Sequence, residues 1–405
     1  MFQSVASPEV VVALLVVSLS FIAAILSDKL RVSYTTILVS IGLVLSFLRV
    51  SEGLASIPLD NALILGLVVP PLVFEASMRT KYNILRPVQK TVWILAVFGV
   101  VISALVSGLA LNLALGLPLG VALTFGVIMA PTDPISVFNI LKKMKAPETL
   151  TTILESEAYF NNAPAIILYP IAATLTFSPL QSIGLFAYDF GGGILIGFLV
   201  SGVAELLYRL ITEPLAETSF TIAVMFGSYI LAQSLNVSGM MAVAIAGLYM
   251  GNRTMRLAMS EETRATVSKF WEVVAFLATS FAFLLLGLKA NFLVLVAFTP
   301  LIVAAFLALL LARVISVYPL IGLTRLMGEK IPAAWTRLLA VAGLRGVLSV
   351  ALALSLPESQ FKEVLVAMTF GVALLSLIVQ GELIQIYVRR LKGLHGHSRS
   401  LGSTS

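Results

Sequence analysis

The feature that most constrains this chain is a succession of apolar stretches, many of about 17 to 25 residues, joined by short polar connections that carry most of the charge. A hydrocarbon core about 30 Å thick demands that length of a spanning helix. Lipid satisfies no backbone hydrogen bonds and the stretches are far too long for barrel strands, so an all-α polytopic membrane protein is predicted. Composition agrees. Hydrophobic residues make up 59% of the chain and charged residues 11%, with a mean hydropathy of +1.03, whereas soluble domains are about a quarter charged.

About thirteen spans are predicted, at roughly 8–27, 33–49, 60–78, 91–113, 118–142, 148–177, 184–209, 218–235, 239–251, 264–287, 292–323, 335–356 and 362–388. The first follows no basic leader and is too long for a cleaved signal, so it is expected to stay in the membrane. The sixth and eleventh are long enough to tilt. One set of alternate connections holds Lys29 and Arg31; Arg79, Lys81, Arg86 and Lys90; Lys142, Lys143 and Lys145; Arg209; Arg253, Arg256, Arg264 and Lys269; Arg325, Lys330 and Arg337; and Arg389, Arg390, Lys392 and Arg399. The opposite set holds only Arg49, Lys289 and Lys362. By the positive-inside rule the C-terminus is cytoplasmic and, with an odd number of spans, the N-terminus is outside. The net charge of +6 is thereby assigned to orientation in the membrane and not to nucleic acid. With no cysteine, disulfides, thiolate metal sites and a thiol nucleophile are excluded. His395 and His397 lie in a basic, Gly/Ser-rich tail read as solvated, and Gly247 and Gly251 form a small-residue spacing read as helix packing.

Ionisable residues inside spans cost roughly 2.5–3.5 kcal/mol each on insertion scales, so each needs a reason. The strongest pattern is Ala130-Pro131-Thr132-Asp133-Pro134. Two prolines bracket a carboxylate in mid-span, remove two backbone donors and break or kink the helix there. Freed backbone groups are tolerated in a membrane where they line a polar cavity. The Thr132 hydroxyl, the Asp133 carboxylate and freed carbonyls are hard oxygen ligands of the kind a monovalent cation takes, beside the positive end of the following half-helix. On the sixth span Glu157 and Asn161 share a helical face, with Asn162 next round, while Glu155 sits nearer the cytoplasmic end as an entrance or structural charge. Glu75, after Pro70-Pro71, is read as a proton or cation ligand, against a paired structural Glu. Arg345, in Gly343-Leu344-Arg345-Gly346 on the twelfth span, needs a carboxylate partner, and Glu157 is the first choice. Glu272, Arg313 and Glu382 are read as bundle-internal structural pairs. Two interrupted spans, the fifth and the twelfth, are what an inverted-repeat secondary transporter presents, with half-helices meeting at the midplane. The chain has no Gly-x-x-x-x-Gly-Lys-Ser/Thr loop for a nucleotide-driven pump.

These residues resemble the monovalent cation:proton antiporters, in particular the NhaP-type and eukaryotic-exchanger-type sodium/proton antiporters. The resemblance rests on Pro70-Pro71-Leu72-Val73-Phe74-Glu75-Ala76, Ala130 to Pro134, Glu157 to Ala163 and Gly343 to Gly346, in that order along nearly the whole chain. It implies a secondary transporter and not an enzyme, with sodium, lithium or potassium and protons as cargo and no cofactor. It also implies a homodimer in the cell membrane that serves pH homeostasis. A core bundle, including parts of about 60–177 and 264–392, would move against interface helices at about 8–49 and 184–251, with 389–405 as a short cytoplasmic tail. Carried over, Thr132 and Asp133 form the cation site, Glu75 contributes to it or to its water shell, Glu157 and Arg345 form a structural ion pair, and Asn161 is the Asn of the family's Asn-Asp pair, which favours electroneutral exchange. The departures are Asn162, where the family has the exchanging Asp, and Ala158, where a Ser is common. An amide offers a carbonyl oxygen but does not titrate. Either Asn162 is an introduced Asp→Asn substitution that impairs transport, the reading its surroundings favour, or the protein works through Glu75 and Asp133 alone. The alternative class is a cation channel or uniporter with a native Asn162. An intramembrane hydrolase is disfavoured, since both histidines are in the tail.

Overall fold

The computed structural model describes residues 8–30, 32–48, 64–174, 179–211 and 213–400, and every regular element among them is helical. Among the described residues six helices are long and apolar enough to cross a membrane: Tyr82–Leu115, Gly184–Tyr208, Pro214–Ser234, Glu261–Lys289, Thr299–Leu326 and Lys362–Arg390. Tyr34–Phe47 and Leu119–Ile128 are shorter apolar helices. The loop bearing Arg49 and the last five residues of the tail lie outside the described residues.

Among the described residues the eleventh stretch is interrupted only at Phe298, between Phe292–Ala297 and Thr299–Leu326, whereas three others are split more deeply, each for a local reason. The fifth divides into Leu119–Ile128 and Pro134–Lys143. Pro131 and Pro134 offer no N–H to the carbonyls of Val127 and Ala130, so the chain leaves the helix. It re-enters with Pro134 in the first helical position, where a missing donor costs nothing. The twelfth divides into Ala333–Val341 and Val347–Leu354 around the glycines at 343 and 346. The sixth stretch, expected to run through as one tilted helix, is instead Glu148–Phe160 followed by Asn162–Thr174. Pro164 has no N–H for the Phe160 carbonyl, and the chain turns at Asn161, whose own N–H still reaches Glu157 O at 2.9 Å.

The second break is held from outside by a π-helical turn, Ser376–Gln380, between Lys362–Leu375 and Gly381–Ser400. Ser376 Oγ accepts the Arg345 N–H at 3.0 Å, and Gln380 Nε2 donates to Val341 O at 3.1 Å. Both are backbone groups that an uninterrupted helix would have satisfied itself. Elsewhere Gly247 and Gly251 press one face of Gly239–Tyr249 and the π turn after it onto Val69–Arg79. A Cβ at 247 would lie 2.5 Å from Phe74 O, and one at 251 would strike Met78 O.

Loops from the Lys/Arg-rich set bond to one another. Glu329 accepts the N–H groups of Lys90 and Thr91 at 2.8 and 2.9 Å and the Thr91 hydroxyl at 2.6 Å. Asn252 accepts the Tyr82 N–H and donates to Thr80 O, both at 2.7 Å, and Lys81 pairs with Glu148 at 2.9 Å. From the Lys/Arg-poor set, Ser46 Oγ donates to Ala290 O at 3.1 Å.

Candidate functional site

The two broken helices meet backbone to backbone. Asp133 N–H donates to Leu344 O at 2.7 Å, and Arg345 donates through Nη1 to Ala130 O and Pro131 O at 2.6 and 3.0 Å. Each break therefore satisfies part of the other, which is how irregular backbone survives in a buried site. The approach is close enough that position 346 admits no side chain. A Cβ there would lie 2.6 Å from Asp133 Cβ.

At the crossing the Asp133 carboxylate caps the half-helix that follows it, accepting Ser136 N–H at 3.0 Å. Thr132 Oγ1 accepts Asn161 Nδ2 at 2.9 Å, tying the first break to the turn in the sixth stretch. Thr132, Asp133, Asn161 and Asn162 are all at most 6% exposed. A cavity of about 30 Å³ opens here, lined by Thr132, Asp133, Asn162, Gly346 and Ser349, with Leu72, Val73 and Val347 as apolar wall. Its polar side chains, Thr132, Asp133, Asn162 and Ser349, all carry oxygen ligands, a set suited to a hard cation and not to a soft metal.

Glu75 does not line this cavity. Its carboxylate is buried and paired with Arg79, Nε to Oε1 at 2.8 Å and Nη2 to Oε2 at 2.9 Å. It faces a separate, wider cavity of about 150 Å³, shared with Tyr34, Phe138, Lys142, Tyr159 and Glu272. The Arg79 guanidinium lies over the Phe138 ring, 4.3 Å from its centroid. Leu72 borders both the vestibule with Glu75 and the pocket with Asp133. Glu155 is buried and lines neither.

The expected Glu157–Arg345 pair is not what forms. Glu157 pairs with Arg313, Nη1 to Oε1 at 2.5 Å and Nη2 to Oε2 at 2.9 Å, both side chains buried. Arg313 Nε also donates to Leu339 O at 3.1 Å near the end of the half-helix Ala333–Val341. Arg345 is spoken for by the two carbonyls of the first break. The reason is geometric: Arg345 lies in the non-helical crossing with its side chain turned to the broken strand of backbone. Arg313, on the long helix Thr299–Leu326, presents a forked guanidinium to a carboxylate it matches in shape. Nor are Glu272 and Glu382 bundle-internal. Both are exposed, Glu272 bonding Lys269 at 2.9 Å and Glu382 accepting Gln385 Nε2 at 3.1 Å. Sequence reasoning passed over Ser349; its one signal was a hydroxyl three residues beyond Gly346, within the first turn after the break.

Fold and site together define an integral membrane protein that gathers its buried polar groups where two interrupted helices cross. The model of the family described as "Sodium/hydrogen exchanger, transmembrane" matches residues 16–390, and the chain belongs to that family. Among curated relatives it is 35% identical to the Na(+)/H(+) antiporter ApNhaP of Aphanothece halophytica, covering 90% of this chain and 71% of that protein. It is 34% identical to the Na(+)/H(+) antiporter NhaH of Halobacillus aidingensis, covering 94% and 97%. Among solved structures, the sodium proton antiporter MjNhaP1 of Methanocaldococcus jannaschii superposes with a TM-score of 0.76 over 95% of this chain and 99% of that one, at 24% identity. That likeness speaks for the fold.

Proposed function

We propose that this protein is a secondary antiporter exchanging sodium, or lithium or potassium, for protons by alternating access, in an inverted-repeat fold of about thirteen spans. The observation that carries the reading is the pocket at the helix crossing, where Thr132, Asp133 and Asn162 converge on a space of about 30 Å³. Such a space takes about one water-sized occupant, and Asp133 supplies a charge to compensate a monovalent cation. Glu75 lies in the neighbouring vestibule, which shares Leu72 with the pocket, in position to act on the ion's path or water shell and not as a direct ligand. Membership of the exchanger family and the names of the relatives support the assignment of cargo.

In this mechanism proton and cation compete for a carboxylate, and the amide at 162 leaves only Asp133 to titrate in the pocket. The shape of the site is kept while the exchanging group is missing, so transport by this chain is impaired. In the Asp form, exchange is electroneutral and steeply pH-dependent. The protein sits in the cell membrane with its N-terminus outside and C-terminus cytoplasmic, an orientation supported by the bonding of Lys/Arg-rich loops among themselves. It works without a cofactor, as a homodimer in which a core bundle (parts of about 60–177 and 264–392) moves against helices at about 8–49 and 184–251, and it contributes to pH homeostasis. Exposed apolar side chains along Pro179–Tyr208, among them Leu195, Phe198, Leu199 and Val203, support an outward-facing role for that helix.

The test is sodium-gradient-driven proton flux in proteoliposomes. The chain as it stands is expected to run near the passive leak and Asn162→Asp to exchange well above it, with flux highest at intermediate pH and falling wherever the carboxylate is held fully protonated or fully ionised. Equal exchange by both forms would refute a mechanism centred on position 162. A second reading, a cation channel or uniporter, is favoured by one observation, that neutral oxygens outnumber carboxylates in the pocket. Current that follows the sodium gradient without proton movement selects it.

A further inference from the structure

We infer that the Ser349 hydroxyl is a direct ligand of the transported cation, contributed by the second interrupted helix to the pocket around Asp133. The inference deepens the antiporter reading and rests on it for the identity of the ion.

Buried hydroxyls on membrane helices usually satisfy themselves by donating to a carbonyl three or four residues back. This chain follows that habit. Ser107 bonds Ser103 O, Ser228 bonds Val224 O, Ser280 bonds Phe276 O and Thr369 bonds Leu365 O, at 2.6 to 2.8 Å. Ser349 does not. It is 1% exposed, and its Oγ has no hydrogen-bond partner. The helix that carries it begins only at Val347. Four residues back is Arg345, inside the break, so the usual acceptor is not aligned beneath the side chain.

A lone unpaired hydroxyl would mean little. Ser77, Ser156, Ser201 and Thr254 are also buried and unpaired, but none of them lines the pocket. What separates Ser349 is its company. Asn162 Oδ1 is likewise buried with no hydrogen-bond partner, and both residues line the same cavity as Thr132 and Asp133. Leaving two polar oxygens unpaired in one small apolar-walled space is costly unless something there accepts both. A monovalent cation does so, because it needs only lone pairs. The hydroxyl and amide oxygens share the ion with the Asp133 carboxylate, one ligand group coming from each of three segments: the first break, the turn at Asn161 and the second half-helix.

The test is thermal unfolding of the full chain in detergent, titrated with sodium chloride against choline chloride at equal ionic strength, for the parent, Ser349→Ala and Ser349→Thr. An ion that binds the folded state raises the midpoint with concentration. Losing one neutral ligand is expected to move the sodium titration of Ser349→Ala to about three- to tenfold higher concentration, with Ser349→Thr close to the parent because it keeps the oxygen. Coincident titrations for Ser349→Ala and the parent overturn the inference, as does a Ser349→Ala shift confined to the sodium-free melting temperature, which marks a structural hydroxyl. A parent that does not respond to sodium also overturns it. The antiporter reading falls separately, by the absence of proton flux in Asn162→Asp.

Discussion

Two buried arginines near the crossing do different electrostatic work. Arg313 meets Glu157 through both ends of its fork, whereas Arg345 spends its charge on the carbonyl dipoles of Ala130 and Pro131. Removing Arg313 strands a buried carboxylate. Arg313→Gln is therefore expected to cost about 3–5 kcal/mol of stability, and adding Glu157→Gln should recover much of it, as the neutral pair no longer buries a charge. Arg345→Gln has no such rescue through Glu157, and its cost is that of carbonyls left unpaired, about 1–3 kcal/mol each. Thermal melts of the four variants in detergent check this; a rescue of Arg345→Gln by Glu157→Gln would restore the pairing first expected. The sequence makes the charges visible but not their pairing. Thr132 and Asp133 were legible because prolines announce a break on both sides of them. The partner of Glu157 was not, since Arg313 and Arg345 both lie within apolar stretches. Residue 345 also sits in non-helical backbone, where helical periodicity gives no direction for the side chain.

At the level of elements, the breaks at 129–133 and 342–346 act as one joint. Gly346 is where they touch, and its backbone is extended, with φ −138° and ψ −155°, so the demand for glycine is for room and not for an unusual conformation. Gly346→Ala should cost about 1–3 kcal/mol through overpacking and, by displacing Asp133, abolish the rise of melting temperature with sodium. Gly227→Ala, whose Cβ would meet nothing within 4 Å, is the control and should leave that rise unchanged. Both breaks were legible, one from prolines and one from glycines around an arginine. The turn at Asn161 carried a signal that went unread, Pro164 three residues on. The π turn at Ser376–Gln380 carried none. It arises from one extra residue within a helix, and nothing in an apolar run ending in Gln380-Gly381 distinguishes it from plain helix, although Ser376 and Gln380 hold the second break in place.

Across the whole molecule, the apolar stretches and the alternation of Lys and Arg made the membrane class readable before any contact was known, because both are set by lipid and by charge and not by packing. Which helix leans on which is a matter of packing, and there small residues decide. The seam between Gly239–Tyr249 and Val69–Arg79 is glycine against carbonyl, at Gly247 on Phe74 O and Gly251 on Met78 O. Interlocked side chains must climb out of their holes before two helices can shift; a smooth seam has nothing to climb. On the division proposed above, it joins the core, through the helix that carries Glu75, to the interface helices, and would serve as a low-friction bearing on which the core glides without repacking. Gly247→Ala, whose Cβ would press on Phe74 O, would put a tooth into that bearing at a cost of about 1–3 kcal/mol in overpacking. In the Asn162→Asp background it is expected to steepen the temperature dependence of proton flux, read from an Arrhenius series in proteoliposomes, while leaving the sodium concentration at half-maximal flux where it was. The cation would bind as before, and the journey across the membrane would become the slow step.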